Sequence, residues 1–411
     1  MINKKVYNYL AVTNTFIEWV EYSLFLYLGP VISKLFFPVY STESGLLMTY
    51  GLFATAYLAR PIASLYFGYL SDRIGRKPPM IIAMVLMGLA TLFIGMLPTY
   101  QEIGFISPIL LLICRVLQSV AVSGEFQSST IFLMEHETKN KAFAGSLIIA
   151  SASGGMFIGG LIASTLSETP YIDVYWRIPF LCTGIIGMIL SILRTKIQET
   201  PIFIALEQQG KLDKNPISTL LEYKKEMLHI IIVSAFVCVF VYTCNGYYSN
   251  YLISHAFFTK SSAYLHCSIT ELIVAILAPA IAYTYGENNN KNILLCGIFG
   301  LVINAPLQFY AAKAHIYPLI VMTLTVYSLC DAMITSSIAF YLYKTLPANL
   351  KCTGVGFGWN IAAALFGGTA PLLSAHLVSN GFMLAPGFLV LTYGVIAILA
   401  ITKFRMPVYI S

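Results

Sequence analysis

Charged residues are scarce in this sequence: Asp, Glu, Lys and Arg make up 10% of its 411 residues, against about 25% in a typical soluble domain. Hydrophobic residues make up 58%, in runs of about 20 residues, the length that crosses a hydrocarbon layer about 30 Å thick. The composition excludes a soluble globular protein and indicates an integral protein of the lipid bilayer. The net charge of +6 then reflects cations in its loops and not a nucleic-acid-binding surface.

The sequence also lacks the motifs of several kinds of functional site. It has no phosphate-binding loop, which excludes an ATP-driven pump, and no nucleophile–base pairing that would indicate an intramembrane enzyme. The eight cysteines include no C-x-x-C pair, and His255, His266 and His376 lack the spacing of metal ligands. We therefore expect no enzymatic activity, no metal and no cofactor. There is no soluble domain to carry a receptor's signal, and the polar start, Met1 to Asn8, is unlike a cleavable signal peptide.

Apolar runs separated by polar stretches predict twelve transmembrane helices. The predicted spans are 9–36, 46–69, 79–98, 106–134, 142–166, 176–195, 227–256, 264–286, 291–311, 316–343, 352–379 and 383–403. We therefore predict an all-α integral membrane protein with an N-terminal six-helix bundle (1–195), a linker (196–226) and a C-terminal six-helix bundle (227–411). In such a layout the substrate site forms between the halves, near the midplane.

Positive charge is unevenly distributed over the predicted loops. If both termini are cytoplasmic, 18 of the 24 Lys and Arg residues fall in cytoplasmic segments, Arg194 among them, and Arg60 and Arg115 fall within spans. The four on the outside are Lys34, Arg177, Lys260 and Lys313. Because cationic loops are retained in the cytoplasm, we predict that both termini and the linker lie there. The high usage of Lys and Asn favours a bacterial protein, and hence the bacterial inner membrane.

A basic, glycine-containing loop, Gly68 to Lys77, lies between two apolar runs and reads GYLSDRIGRK. It resembles the G-x-x-x-D-R-x-G-R-K signature of the major facilitator superfamily. The stretches from Asn14 to Tyr22, from Arg115 to Glu125 and from Glu199 to Phe203 are similar to motifs of its metabolite–proton symporter branch, which includes proline/betaine, citrate, 2-oxoglutarate and shikimate carriers. The resemblance implies a major facilitator fold and a proton-coupled secondary active transporter of a small organic solute. We expect it to act as a monomer.

The nature of the solute follows from the cations at membrane depth. Arg115 is placed at mid-span, and no lysine is placed at the midplane of the second half. A carrier of carboxylates is expected to need a second cation in its pocket. This favours a zwitterion, whose carboxylate meets Arg115 and whose amine meets Asp331 or an aromatic face. The plain chain ends are similar to those of amino-acid carriers from intracellular bacteria, which favours an amino acid. The alternatives are a mono- or dicarboxylate carrier and a betaine or osmolyte carrier.

Acids on the first span are candidates for proton coupling. Asn14, Glu18 and Glu21 are spaced by four and three residues and so share one helical face. An ionisable group at membrane depth is costly unless it is paired or hydrated. By resemblance to related sugar and metabolite carriers, Glu21, which replaces the usual aspartate, pairs with Arg115 on the fourth span. Glu18 is the competing acid, and a permanent salt bridge between two helices is the structural alternative.

The fourth span carries a similar stripe. Gln118 and Glu125 follow Arg115 at helical spacing, and Glu125 is either a coupling acid or a gate contact near the cytoplasm. In the signature loop, Asp72, Arg73 and Arg76 are expected to form an ion network with Glu135, which acts as a latch between the halves. The complete set of substrate-binding candidates is Asn14, Arg115, Gln118, Tyr242, Asn245, Asp331, Trp359 and Asn360.

Overall fold

The computed structural model describes residues 4–38, 48–49, 51–52, 55–137, 139–213 and 215–407, and this part of the chain is helical without strands. The helices up to residue 195 are α1 (Lys4–Tyr27), α2 (Gly29–Phe36), α3 (Arg60–Ile74), α4 (Lys77–Met96), α5 (Ile106–His136), α6 (Lys141–Ser167) and α7 (Arg177–Arg194). The later ones are α8 (Lys224–Val241), α9 (Tyr248–His255), α10 (Lys260–Tyr285), α11 (Asn290–Lys313), α12 (Tyr317–Tyr343), α13 (Lys351–Ala362), α14 (Ala370–Ser379) and α15 (Ala385–Lys403).

Shorter helical segments connect these elements. The predicted linker contains two of them, Pro201–Gln208 and Pro216–Leu220, and one-turn or 3₁₀ segments cover Tyr100–Ile103, Ile172–Tyr175 and Ala348–Leu350. Two π-helical segments interrupt long helices: Tyr242–Tyr247 joins α8 to α9, and Ala363–Gly367 follows α13. Such widened turns inside helices are frequent at functional sites.

Helix length and hydropathy agree with the predicted spans. In the described residues, ten helical segments are long and apolar enough to cross a membrane. The α1–α2 pair covers the first predicted span, and α3 covers the end of the second, whose residues 46–47, 50 and 53–54 lie outside the described residues. The prediction of an all-α, multi-span membrane protein is therefore confirmed.

Small residues bring α6 to the centre of the molecule. A Cβ atom at Gly155 would lie 2.3 Å from the Phe16 carbonyl oxygen of α1, and one at Gly160 would lie 1.7 Å from the Ser268 hydroxyl of α10. Lipid supplies no hydrophobic force between helices, so close backbone approach is the main source of their packing energy. The glycines of α6 therefore let it pack against a helix of each half of the chain.

The signature loop forms a tight turn between α3 and α4. Gly75 has a φ of +109°, a backbone conformation that side chains disfavour, and the Glu199 carboxylate accepts a hydrogen bond from the Lys77 backbone N–H at 3.0 Å. The turn holds Asp72 and Arg76 against α13, because α3 packs along that helix of the other half. We call this end of the molecule the Asp72 end.

Candidate functional site

A central cavity of about 60 Å³ lies between the two halves of the chain. Its walls include Trp19 and Phe126 from the first half and Tyr242, Asp331 and Trp359 from the second. Residues of both halves thus enclose this cavity together.

The predicted substrate-binding residues of the second half divide into two groups. Tyr242, Asp331 and Trp359 line the central cavity, as expected of pocket residues. Asn360 instead donates to the Gly356 carbonyl of its own helix at 2.9 Å, and Asn245 is absent from the cavity wall. The structure therefore does not bring the two asparagines of the second half to the central cavity.

Two smaller cavities contain the candidates of the first half. Asn14, Glu18 and Glu21 line one of about 20 Å³, and Arg115 and Gln118 line another of about 10 Å³. Trp19 contributes to the wall of the central cavity and to that of the second small cavity. One indole ring thus lies between the Arg115 region and the central cavity.

Glu21 and Arg115 form the ion pair that the family resemblance implied. The Arg115 Nη1 atom lies 2.9 Å from the Glu21 Oε1 atom, and both side chains are buried. Arg115 also donates to Gln118 at 2.6 Å, and Gln118 donates to the Thr91 hydroxyl at 2.8 Å. The guanidinium lies over the ring of Phe25 at 3.9 Å. The pair joins α1 to α5 inside the first half.

Glu125 is the centre of a second buried cluster. It accepts hydrogen bonds from Asn14 at 3.0 Å and from Ser129 at 2.5 Å, and it forms an ion pair with Arg194 at 3.0 Å. The Glu18 carboxyl is within hydrogen-bonding reach of the Glu125 carboxyl. Three of the predicted site residues, from the first and the fourth predicted spans, thus meet in one place.

The position of Arg194 corrects the expectation that it is a loop cation. It is the last residue of α7, and its side chain is 1% exposed because it turns inward to Glu125. Hydropathy locates the end of an apolar run but not the direction of the side chain there. An acid within a span, such as Glu125, is costly unless it is paired, and this is the feature of the sequence that indicates a buried cation partner.

Glu271 and Asp331, the acids of the second half that line the central cavity, have no cation beside them among the described residues. Glu271 accepts a hydrogen bond from Asn245 at 2.7 Å, and Asp331 accepts one from Thr335 at 3.0 Å. Both acids line the central cavity, and neither forms an ion pair with any residue of the described chain. Asn245 also accepts a hydrogen bond from Tyr27 at 3.0 Å, so it connects the halves.

Aromatic side chains cover the cavity walls that carry no charge. The Trp19 and Phe126 rings lie 5.9 Å apart, and the Phe126 and Trp359 rings lie 6.1 Å apart. The hydroxyl groups of Tyr57 and Tyr242 are 3.1 Å apart and link the residues just before α3 to the π-helical segment of the other half. Phe126 and Tyr57 were not among the site residues predicted from the sequence.

At the Asp72 end, buried charges connect the halves. Arg76 lies 3.2 Å from both Asp72 and Glu135, and it donates to the Ala348 carbonyl at 3.1 Å. Asp72 accepts hydrogen bonds from the Thr353 backbone N–H at 2.8 Å and from the Thr353 hydroxyl at 2.7 Å. Three of the four predicted latch residues are thus brought together, with Thr353 as an additional partner.

Arg73, the fourth predicted latch residue, lies elsewhere. Within the described chain its side chain is exposed and contacts Tyr69, one turn earlier on α3. Neighbouring residues of a helix point about 100° apart, so Asp72 and Arg73 cannot both face α13. The structure therefore places Arg73 outside the ion network.

Comparison with known proteins gives the family. The sequence matches the family model described as Major Facilitator Superfamily over residues 12–371. A putative proline/betaine transporter of Staphylococcus aureus (strain COL) is 28% identical over 397 residues, which cover 94% of this chain and 84% of the relative. The proline/betaine transporter of Escherichia coli (strain K12) is 26% identical over 400 residues, which cover 93% and 79%.

Solved structures share the fold. The xylose transporter of E. coli, in a partially occluded inward-open conformation, superposes with a TM-score of 0.72 at 15% identity and covers 96% of this chain and 97% of its own. The human organic anion transporter TETRAN gives 0.70 at 14% identity, with coverage of 98% and 99%. The protein is thus a multi-pass membrane transporter of small solutes and not an enzyme. The chain belongs to the Major Facilitator Superfamily.

Proposed function

We propose that the protein is a proton-coupled symporter of a zwitterionic solute, with an amino acid as the first choice. The observation that carries the proposal is the buried ion pair of Glu21 and Arg115, one small cavity away from a central cavity that carries Glu271 and Asp331. A carboxylate that meets a guanidinium in one conformation and leaves it in another changes its proton affinity during transport. Glu18 is the competing acid.

The choice of a zwitterion rests on the opposite character of the two halves. Buried arginines lie in the first half, and the second half presents two acids to the central cavity. Aromatic faces such as those of Trp19 and Trp359 attract ammonium groups. The names of the S. aureus and E. coli relatives, proline/betaine transporters, support proline as a first substrate to test and betaine as the osmolyte alternative. A mono- or dicarboxylate is the remaining alternative.

The membrane arrangement is part of the proposal. We place the Asp72 end and both termini in the cytoplasm of a bacterial cell, because most Lys and Arg residues lie in the loops of that side. The halves 1–195 and 227–411 then act as the two moving units, with the linker between them. The network of Asp72, Arg76 and Glu135 holds them together on the cytoplasmic side.

The test is transport by purified protein in proteoliposomes, with proline and betaine as probes. One coupled proton allows about tenfold accumulation per unit of pH difference, since one pH unit is worth about 1.4 kcal/mol. Glu21→Gln replaces the titratable acid by a neutral group of the same size. We expect this variant to exchange solute by counterflow and to lose proton-driven accumulation. The matched control is Glu207→Gln, at an exposed position of the linker.

The outcomes separate the alternatives. Accumulation by Glu21→Gln at the wild-type level would refute the role of Glu21, and the same pair of assays on Glu18→Gln would then test the competing acid. Transport of a dicarboxylate, with neither proline nor betaine accepted, would refute the zwitterion proposal. Uptake that is unaffected by the proton gradient in the wild type would refute proton coupling itself.

A further inference from the structure

Among the described residues, Arg60 is a buried guanidinium without a counter-ion. Four arginines are buried in this part of the chain. Arg76, Arg115 and Arg194 each lie within 3.2 Å of a carboxylate oxygen, whereas Arg60 forms no ion pair or hydrogen bond with any described residue. Its side chain is 5% exposed, and its guanidinium lies 3.7 Å above the ring of Tyr57. A buried charge without a partner is costly, so such a group is a candidate for binding an anion.

The acids near Arg60 are directed to other residues. Glu21 is paired with Arg115. Glu18 lines the same small cavity as Arg60, but its carboxyl is directed to that of Glu125, which is paired with Arg194. Glu18 attracts Arg60 from across this small cavity, but none of these three acids forms an ion pair with the Arg60 guanidinium.

The position of Arg60 connects it to the central cavity. It is the first residue of α3 and precedes Pro61, about 21 Å along the helix from Ile74 at 1.5 Å per residue, so it is near the middle of the span. The Trp19 ring contributes to the walls of both the Arg60 cavity and the central cavity. Tyr242, another residue of the central wall, is hydrogen-bonded to Tyr57, which lies under the guanidinium. One layer of aromatic side chains therefore separates Arg60 from the solute's space.

We propose that Arg60 binds the carboxylate group of the transported solute, which enters when the halves move apart. This inference rests on the proposed function in assuming that the solute carries a carboxylate. It assigns the carboxylate to Arg60 instead of Arg115, because the Arg115 guanidinium is already committed to Glu21 and Gln118. The amine of the solute then faces Asp331 and Glu271 across the cavity. A guanidinium binds a carboxylate through two parallel hydrogen bonds, which fixes the orientation of the solute.

The test compares two probes that differ only in the anionic group. Proline and prolinamide share a ring and an amine, but prolinamide has no carboxylate. Binding to purified protein in detergent is measured by calorimetry. For the wild type we expect proline to bind at least about tenfold more tightly than prolinamide, as one charge-assisted contact of about 1.5 kcal/mol provides. In Arg60→Gln we expect that ratio to fall to about one, while Arg405→Gln, at an exposed position, retains it.

A second variant distinguishes the loss of carboxylate binding from the loss of folding. Arg60→Lys keeps the charge but not the paired geometry, so it should keep a preference for proline, reduced severalfold. An unchanged proline-to-prolinamide ratio in folded Arg60→Gln, or loss of the preference in folded Arg60→Lys, would overturn the proposal for Arg60 alone. If the wild type binds prolinamide as tightly as proline, the Arg60 proposal is refuted. If the wild type binds none of proline, betaine and a dicarboxylate, both the Arg60 proposal and the proposed substrate class are refuted.

Discussion

Replacement of Asp72 by asparagine should release the contact between the halves at the Asp72 end. In the structure the two oxygen atoms of Asp72 face Arg76 at 3.2 Å and the Thr353 N–H and hydroxyl at 2.8 and 2.7 Å. Asparagine keeps one acceptor oxygen, which at the Oδ2 position can still accept from both Thr353 donors. Its amide group then faces Arg76 in place of Oδ1, and the negative charge is lost, so the pairing to Arg76 is broken and the Thr353 hydrogen bonds are weakened.

The size of the effect follows from these weakened interactions. A hydrogen bond to a charged group contributes about 1.5–3 kcal/mol, and the loss of charge beside a buried arginine adds to this. We therefore expect Asp72→Asn to disfavour the closed arrangement of the Asp72 end by about 2–4 kcal/mol, which is about 30- to 1,000-fold in the conformational equilibrium. The matched variant Thr353→Val removes a single hydroxyl donor at nearly constant shape and should cost about 1.5 kcal/mol, the lower end of that range.

The conformational equilibrium can be measured with distance labels. Fluorophores on cysteines at Lys139 and Lys403, exposed positions near this end of the two halves, report opening once the exposed Cys182 and Cys296 are replaced by serine. We expect longer distances in Asp72→Asn, a smaller increase in Thr353→Val, and slower net transport. Because the latch is remote from the central cavity, equilibrium binding of proline should change no more than a few-fold. Unchanged distances, or a large loss of affinity with normal folding, would refute this reasoning.

The positions of the helices could be predicted well from the sequence, and the reason is physical. A membrane span must be apolar over about 20 residues, so hydropathy alone locates it. The helix interruptions were missed. The π-helical segment Tyr242–Tyr247 lies inside the predicted span 227–256. Its Thr243, Asn245 and Gly246 make the apolar run polar there, but composition does not give the width of a helical turn.

Side-chain partners were predictable where a motif named both members. Glu21 and Arg115 were expected to meet and do meet. Thr353 was not foreseen as the partner of Asp72, because the two are 281 residues apart and periodicity gives the face of a helix but not its neighbour. The environment of Arg60 was unpredictable for the same reason, since it depends on where three acids of other helices point.

Two further predictions concern packing and the end opposite to the Asp72 end. Gly155→Ala should lower the free energy of unfolding by about 1–3 kcal/mol, as overpacking does, because the new Cβ would lie 2.3 Å from the Phe16 carbonyl oxygen. The control in a thermal unfolding assay is Gly187→Ala, whose Cβ would have its nearest neighbour at 3.6 Å. Asn245→Ala should act oppositely to Asp72→Asn. Tyr27 is the last residue of α1, and Leu10 near the start of α1 packs with Met80 and Phe132 by the Asp72 end, so Asn245 meets Tyr27 on the opposite side. The variant removes the acceptor of the Tyr27 hydroxyl and a donor to the neighbouring acid, so the opposite end should open and the labels at the Asp72 end should move no further apart. A longer distance between those labels would contradict the view that Asn245 joins the halves at the opposite end.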